Sequence, residues 1–295
     1  NTNEWLSKDI DVEKKNGLCL AFTEDEEKLL NERSKIRKEY GADIEIISKK
    51  EALRIDPNIN KNIKCAAFCA MDGYVSANQT GYAYSKALKE NNVKILENFE
   101  VTDIDFSENN YTILSKTGDK LISKKIIFAS GVHLNKALEL LNIKVNIKCL
   151  PQQLIVSERM PKVMDTVITV ANGKLSLKQF KNGTVLIGGG WPGIGSAEEN
   201  FTATKSENLI GNMRLACHAI PKLKHSRVAR VWLGLEAETD DAMPIIGELP
   251  DFNNAYVIGS IHSGYTSGPY MGKLLAKKIL GEDVDLSLFD IKRFL

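Results

Sequence analysis

The sequence predicts an α/β (α+β) protein of two interleaved domains, one a layered α/β domain and the other built on a mainly antiparallel sheet. Three observations carry this expectation. Residues 256–281, YVIGSIHSGYTSGPYMGKLLAKKILG, read as a strand that enters a helix through a glycine-bearing loop. Helix and strand patterns alternate from about residue 80 to residue 141, and from 147 to 187 strand patterns follow one another without a helix between them. The chain therefore passes twice between domains. The expected divisions are 1–77 and 143–248 for the antiparallel domain, and 78–142 and 249–295 for the layered one.

Each element follows from local chemistry. Residues 18–22 are an apolar, β-rich run. Thr23 and Glu26 form a capping box for a charged helix over 24–40, which Gly41 closes. A strand at 44–47 leads to Ser48, which caps a short helix carrying Glu51, Ala52 and Leu53 that stops before Pro57. A strand over 65–70 ends at the Asp72-Gly73 turn. A helix over 80–90 precedes strands at 93–96 and 99–106, a hairpin at Gly118-Asp119 and a strand at 125–128. The small residues Ala129, Ser130 and Gly131 then open a helix over 134–141. A helix over 204–220 and a strand over 227–238 follow the long strand region. In the last unit the strand breaks at Gly259, and Gly268-Pro269 opens a helix, because proline's missing N–H would be unsatisfied there in any case. Met271, Leu274, Leu275 and Ile279 recur at helical spacing, and Gly281 marks the stop.

Composition narrows the function classes. A chain of 295 residues, 43% hydrophobic and 26% charged, can bury one large or two interleaved cores. A net charge of +1 gives no reason to expect nucleic acid as a partner. No apolar run is long enough for a membrane span. The five cysteines are odd in number and scattered, as in a reduced cytoplasmic protein. Cys65 and Cys69 share one face of a strand about 13 Å apart, too far for a disulfide or a shared metal, so they are expected in the core and no metal is expected.

Two glycine-bearing segments invite a ligand reading. Residues 188–193, GGGWPG, match G-x-G-x-x-G, but Pro192 and the residues after it are loop chemistry, and the next helical pattern begins only near Thr204. A dinucleotide fingerprint needs its third glycine in the first helical turn, so this match is read as accidental. The loop after Gly259 is different. A strand entering a helix N-terminus through such a loop aims backbone N–H groups and the positive end of a helix dipole at one spot. On the pattern alone, an anion-binding loop and a simple packing unit both stay open.

A longer ordered set of motifs resolves the choice. Trp232-Leu233-Gly234-Leu235-Glu236 gives W-x-G-x-E, Thr239 to Gly247 gives T-x-D-x-x-P-x-I-G, and His262 to Gly272 gives H-S-G-Y-T-x-G-P-x-x-G. Upstream, NGLCLAFTE at 16–24, Asp72-Gly73-Tyr74-Val75, Val101-Thr102-Asp103-Ile104 and Ala129-Ser130-Gly131 keep the same order. This set resembles the D-amino-acid oxidase superfamily of FAD-dependent enzymes, in its glycine oxidase, sarcosine oxidase beta subunit, opine oxidase and D-hydroxyproline dehydrogenase branch. The resemblance covers essentially the whole chain. Superfamily members open with a strand, a G-x-G-x-x-G turn and a helix for the FAD pyrophosphate, whereas this chain begins Asn1-Thr2-Asn3-Glu4-Trp5. The expectation is a fragment without that unit, binding FAD weakly or not at all.

The resemblance implies an FAD-dependent oxidation of the CH–NH bond of a small amino or imino acid, with an electron acceptor or a partner subunit. The protein is expected in the cytoplasm, free or peripheral at the inner membrane. The alternative is a non-catalytic or assembly subunit that has lost FAD. The implied cofactor contacts are Val101, Ala129, Gly131, Gly259, Ser263, Gly264, Tyr265 and Thr266, the last three through N–H groups aimed at the flavin's pyrimidine end. Glu236, His262 and Tyr265 are the implied substrate contacts. His262 stands where glycine oxidases carry a substrate-binding arginine, and is the candidate catalytic residue; a structural histidine is the alternative reading. Glu236 departs from the W-x-G-x-R pattern. An acid cannot clamp a carboxylate, which favours the opine or imino-acid branch. Arg230 cannot replace the missing arginine, since six residues along a strand is about 20 Å. Trp232 is expected in the core.

Overall fold

Alternation of apolar and polar residues builds the largest element of the chain, an eight-stranded sheet. The computed structural model describes residue 10, residues 12–259 and residues 263–295. The chain runs β1 (Glu13–Lys14), β2 (Gly17–Ala21), α1 (Glu24–Glu39), β3 (Ile44–Ser48), α2 (Lys49–Ile55), β4 (Cys65–Cys69), β5 (Gly73–Tyr74) and α3 (Ala77–Glu90). It continues through β6 (Val101–Ser107), β7 (Asn110–Ser115), β8 (Lys120–Ser123), β9 (Ile126–Phe128), α4 (Leu134–Glu139) and β10 (Lys148–Ser157). Then come β11 (Val167–Val170), β12 (Ser176–Gln179), β13 (Val185–Gly188), β14 (Ile194–Ser196), β15 (Phe201–Ala203) and α5 (Ser206–Ala219). Last are β16 (Val228–Glu238), β17 (Ile245–Glu248), β18 (Ala255–Gly259) and α6 (Gly264–Ile279).

The chain divides into two compact units. The first comprises Asn1–Val93, Gln152–Ile194 and Thr202–Gly234, the second Lys94–Pro151, Gly195–Phe201 and Leu235–Leu295. These joins fall elsewhere than the expected divisions at 77/78, 142/143 and 248/249; in particular α3 belongs with the first unit.

In the first unit the strand order is β16-β10-β13-β12-β11-β2-β4-β3. β2 and β11 run parallel, while β3–β4, β4–β2, β11–β12, β12–β13 and β13–β10 are antiparallel. One face carries Leu18, Leu20, Ile155, Ile168, Leu177 and Ile187, all buried, in one cluster with Ala52 of α2 and Ala216 and Ala219 of α5. Both predicted capping boxes form. Thr23 and Glu26 cap α1 reciprocally, and Ser48 and Glu51 do the same for α2. The 188–193 glycine run is a tight turn. Gly189 and Gly190 have φ of +104 and +64, and a Cβ on Gly189 would come within 2.7 Å of the Leu175 backbone. No helix follows until Ser206, so the reading of an accidental match holds.

The second unit is layered. Its sheet, β17-β18-β9, joins an antiparallel pair to a parallel one. Ile245, Val257 and Phe128 pack on Leu134 and Leu138 of α4. The alternate residues Ile246 and Tyr256 pack on Leu275 of α6. A separate antiparallel sheet, β6-β7-β8, completes the unit, and the Tyr111 hydroxyl donates to the Asn253 carbonyl at 2.7 Å.

Two expected elements differ. Residues 93–96 form no strand; Val93, Ile95 and Leu96 are exposed, so their apolar side chains have no layer to pack on. The last helix begins at Gly264 rather than Gly268, leaving Pro269 inside it. The helix gives up one backbone hydrogen bond at Pro269, early enough that the remaining turns hold.

Asp56, at the end of α2, is fully buried, and its Oδ2 accepts from the N–H groups of Asp165 at 2.8 Å and Thr166 at 3.2 Å and from Thr166 Oγ1 at 3.1 Å. One carboxylate oxygen thus organises the turn that enters β11. Asp56→Ala is expected to lower unfolding free energy by about 3 kcal/mol, since three donors lose their acceptor. Asp56→Asn, which keeps an acceptor oxygen, should lose clearly less in a denaturant titration.

Candidate functional site

The parallel pairing of β9 with β18 aligns Ala255 with Ile126, Tyr256 with Ile127 and Val257 with Phe128. Both strands therefore end side by side. After Phe128 the chain passes through exposed Ala129 and Ser130 to Gly131, with φ +58. Nothing lies within 4 Å of where a Gly131 side chain would stand. Gly131 opens the 3-10 turn Gly131–His133, which leads into α4. β18 ends at Gly259, which is buried, and a Cβ there would meet Leu134 Cδ2 at 2.5 Å. Leu134, from the turn after β9, thus fills the space above Gly259. A side chain at 259 would require Leu134 Cδ2 to shift.

Ser263 precedes α6 in the left-handed conformation, φ 56 and ψ 37, and its side chain makes no capping bond. That conformation is costly for a non-glycine residue and concentrates at functional turns. Thr266 N–H is spent within the turn, donating to the Ser263 carbonyl at 2.9 Å. Gly264 N–H has no partner among the described residues. The Ser263 N–H donates to Glu236 Oε1 at 3.1 Å. A carboxylate therefore stands at the start of α6, where a helix dipole favours negative charge. Tyr265 is 51% exposed.

The structure places Ala129 and Gly131 just after β9 and Gly259 at the end of β18, while Ser263, Gly264, Tyr265 and Thr266 stand at the start of α6, where Ser263 is bonded to Glu236. Val101 lies on β6, in the other sheet of this unit, opposite Ser115 and next to a register shift. His262 lies outside the described residues. Trp232 is 44% exposed, contrary to the core expectation, because β16 is the edge strand of its sheet. Among the described residues no cluster of His, Cys, Asp and Glu could hold a metal ion.

One polar group is not legible in the sequence. The T-x-D-x-x-P segment is a clamp. Asp241 accepts from Arg293 Nε at 2.8 Å, Thr239 Oγ1 at 2.8 Å and Met243 N–H at 2.9 Å. Arg293 also donates to the carbonyls of Met243 at 2.9 Å and Pro244 at 2.8 Å. Thr239 and Asp241 mark themselves by spacing, but Arg293 stands some fifty residues away, with no motif around it. The Arg293 guanidinium holds the Asp241 carboxyl far below the usual carboxylate range. A depressed carboxyl stabilises the fold above its unfolded pKa of about 3.9, and that stability is lost as pH falls toward the folded value. Asp241 is 40% exposed, so screening limits the effect. Asp241→Asn should cost about 1 kcal/mol at neutral pH, and thermal melts should show the difference shrinking below about pH 4.

Comparison with known proteins agrees with the geometry. The profile of the DAO family, FAD dependent oxidoreductase, matches residues 3–278. An opine oxidase subunit of Rhizobium meliloti is 23% identical over 256 residues, covering 85% of this chain and 65% of that protein, just under two thirds of its length. Glycine oxidase of Geobacillus kaustophilus (strain HTA426) is 24% identical over 289 residues, covering 97% of this chain and 75% of that protein. The beta subunit of sarcosine oxidase from Arthrobacter sp is 25% identical, covering 99% of this chain and 73% of that protein. The crystal structure of glycine oxidase from Geobacillus kaustophilus superimposes with a TM-score of 0.89 at 21% identity, covering 99% of this chain and 78% of that one. That of L-proline dehydrogenase from P.horikoshii also gives 0.89 at 21% identity, covering 99% and 79%. The fold and the order of motifs together make this chain a member of the DAO family of FAD-dependent oxidoreductases.

Proposed function

We propose that the protein oxidises the carbon–nitrogen bond of a small amino or imino acid, of the D-amino acid, sarcosine, hydroxyproline or opine type. The observation that carries this reading is the pair of parallel strand ends, the first leading through Gly131 into α4 and the second ending at Gly259 ahead of α6. Ligands of α/β sheets sit outside the carboxyl ends of parallel strands. The residues present fit a flavin nucleotide. Ala129, Ser130 and Gly131 are exposed, and the space where a Gly131 side chain would stand is open, so a bulky ligand can approach backbone there. The first turn of α6 offers the Gly264 N–H and the positive end of the helix to an anionic edge. FAD, when bound, supplies the hydride acceptor.

The chain's own groups do the rest. Ala129, Gly131, Gly259, Ser263, Gly264, Tyr265 and Thr266 hold the cofactor in this reading, with Val101 on the adenosine side. Fixed by the Ser263 N–H, Glu236 presents negative charge suited to a substrate ammonium. Tyr265 contributes a half-exposed phenol as a substrate contact. His262, two residues before Gly264, orients the substrate or carries its proton, since histidine titrates near neutrality. We assign the substrate-recognition surface to the sheet of the first unit and the flavin to the second. We place the protein in the cytoplasm, free or at the inner membrane surface, a reading supported by its five free cysteines. No helix among the described residues is long and apolar enough to cross a membrane. Two of the relatives are subunits by name, which supports a partner subunit among the candidate electron acceptors.

Protein expressed from its complete coding sequence is expected to purify yellow and to bleach anaerobically on adding a suitable amino or imino acid. Failure to carry FAD would instead favour a non-catalytic subunit. His262→Ala should lower turnover about tenfold or more, roughly 1.4 kcal/mol in the barrier, with flavin content unchanged. Loss of flavin and activity together would assign His262 to loop folding, and unchanged kinetics would remove it from the mechanism.

A further inference from the structure

The eight-stranded sheet ends at β16, and among the described residues no strand pairs with its outer edge. Val228, Ala229 and Arg230 are exposed and Val231 is half-buried. An edge strand holds out a row of backbone N–H and C=O groups to any extended chain that can reach it. Beside this edge the core face is incompletely covered. α5 lies over β13, where Asn212 Nδ2 donates to the Gly188 carbonyl at 3.2 Å. Between α5 and the sheet margin is a cavity of about 500 Å³. Leu209, Ile210 and Met213 of α5, Ile155 of β10, and Val228 and Val231 of β16 line it, and Arg214 supplies its charge. Ile210 is 52% exposed and Val228 47%. All these residues belong to the first unit.

The chain that runs from α5 to β16 is strongly positive. From Asn208 to Gly234 it carries Arg214, Lys222, Lys224, Arg227 and Arg230 and no aspartate or glutamate, although the whole molecule is close to neutral at +1. All five residues are exposed. Among the described residues none of the five side chains has an ion pair or a hydrogen bond. The acids of the first unit that flank these elements are Glu207, in the first turn of α5, and Glu158, just past β10. Glu158 is followed at once by Arg159, so the excess stays positive. An unpaired backbone edge, an apolar cavity beside it and a run of unpaired cations therefore meet in one place.

We propose that this edge docks a partner polypeptide, through an extended segment rich in aliphatic and acidic residues that adds to β16 as a further strand. In such strand addition the main-chain hydrogen bonds give affinity, and pockets for alternate side chains give specificity. Aliphatic side chains of the segment enter the cavity, and its carboxylates meet Arg214, Arg227 and Arg230. Charge and shape favour this occupant over two others. A second copy paired edge to edge would bring Arg227 and Arg230 of both chains together, and like charges on facing strands repel. An anionic bilayer would match the charge, but it neither pairs with a strand edge nor fills a concave cavity. The proposal does not depend on which substrate the protein oxidises.

The test uses the protein from its complete coding sequence and a fluorescein-labelled octapeptide of alternating valine and glutamate. An octapeptide of alternating valine and lysine and one of glutamate alone are the controls. By anisotropy at low salt the valine–glutamate peptide should bind about tenfold or more tightly than either control. In hydrogen exchange followed by mass spectrometry it should slow the amides of residues 228–233. Ile210→Asp and Arg230→Glu should each weaken binding about tenfold and leave the melting temperature nearly unchanged, since both positions are exposed. The exchange experiment on the wild type needs no variant. Equal binding of the three peptides, or unchanged exchange at 228–233, would overturn the proposal. So would a concentration-dependent dimer that protects 228–233 by itself, which would give the edge to a second copy. Protection by phosphatidylglycerol vesicles but not by the peptide would give it to a membrane surface and equally overturn the proposal.

Discussion

The candidate site depends on one register, the parallel pairing of Ala255, Tyr256 and Val257 with Ile126, Ile127 and Phe128. Parallel strands need long crossover connections, and here more than a hundred residues separate the two. Because they run the same way, both carboxyl ends open on one side; β9 is followed by a 3-10 turn and α4, and α6 begins at Gly264 after β18. Leu134, which follows β9, packs into the side-chain space of Gly259 at the end of β18. A shift of one residue would turn Val257 and Tyr256 to the wrong layers.

Charge at this corner meets the amide that precedes α6. The Ser263 backbone is left-handed and its N–H donates to Glu236, while Gly264 N–H at the helix start has no partner among the described residues. A carboxylate there is favourable for the helix, yet chemically it removes the guanidinium that the family pattern would place at 236. The clamp of Asp241 and Arg293 is of a different kind, since its carboxylate and guanidinium bond to each other and to neighbouring backbone within the chain, and it fixes the connection between β16 and β17.

Much of the fold is legible in the sequence because its signals are local. Thr23 with Glu26 and Ser48 with Glu51 specify two helix starts within four residues each, and both capping boxes form. The long alternation of β10 through β13 and the Gly118-Asp119 hairpin are likewise short-range patterns. The start of α6 is misleading in the sequence because Pro269 is a strong local signal, whereas the true start is set by Ser263 and its contact with Glu236, 27 residues apart. Val93, Ile95 and Leu96 look like a strand, but β structure needs a neighbour, and sequence pattern does not show whether one exists. Trp232 misleads for a similar reason, since edge position is a property of sheet order.

The most direct test of the account is amide hydrogen exchange, by mass spectrometry, on the protein from its complete coding sequence, stripped of and then reloaded with FAD. If the two parallel strand ends hold the flavin, slowed exchange should fall in peptides spanning residues 126–133 and 263–268, with the 188–193 glycine turn unchanged. Protection of the 188–193 turn, with residues 126–133 and 263–268 exchanging as before, would contradict it.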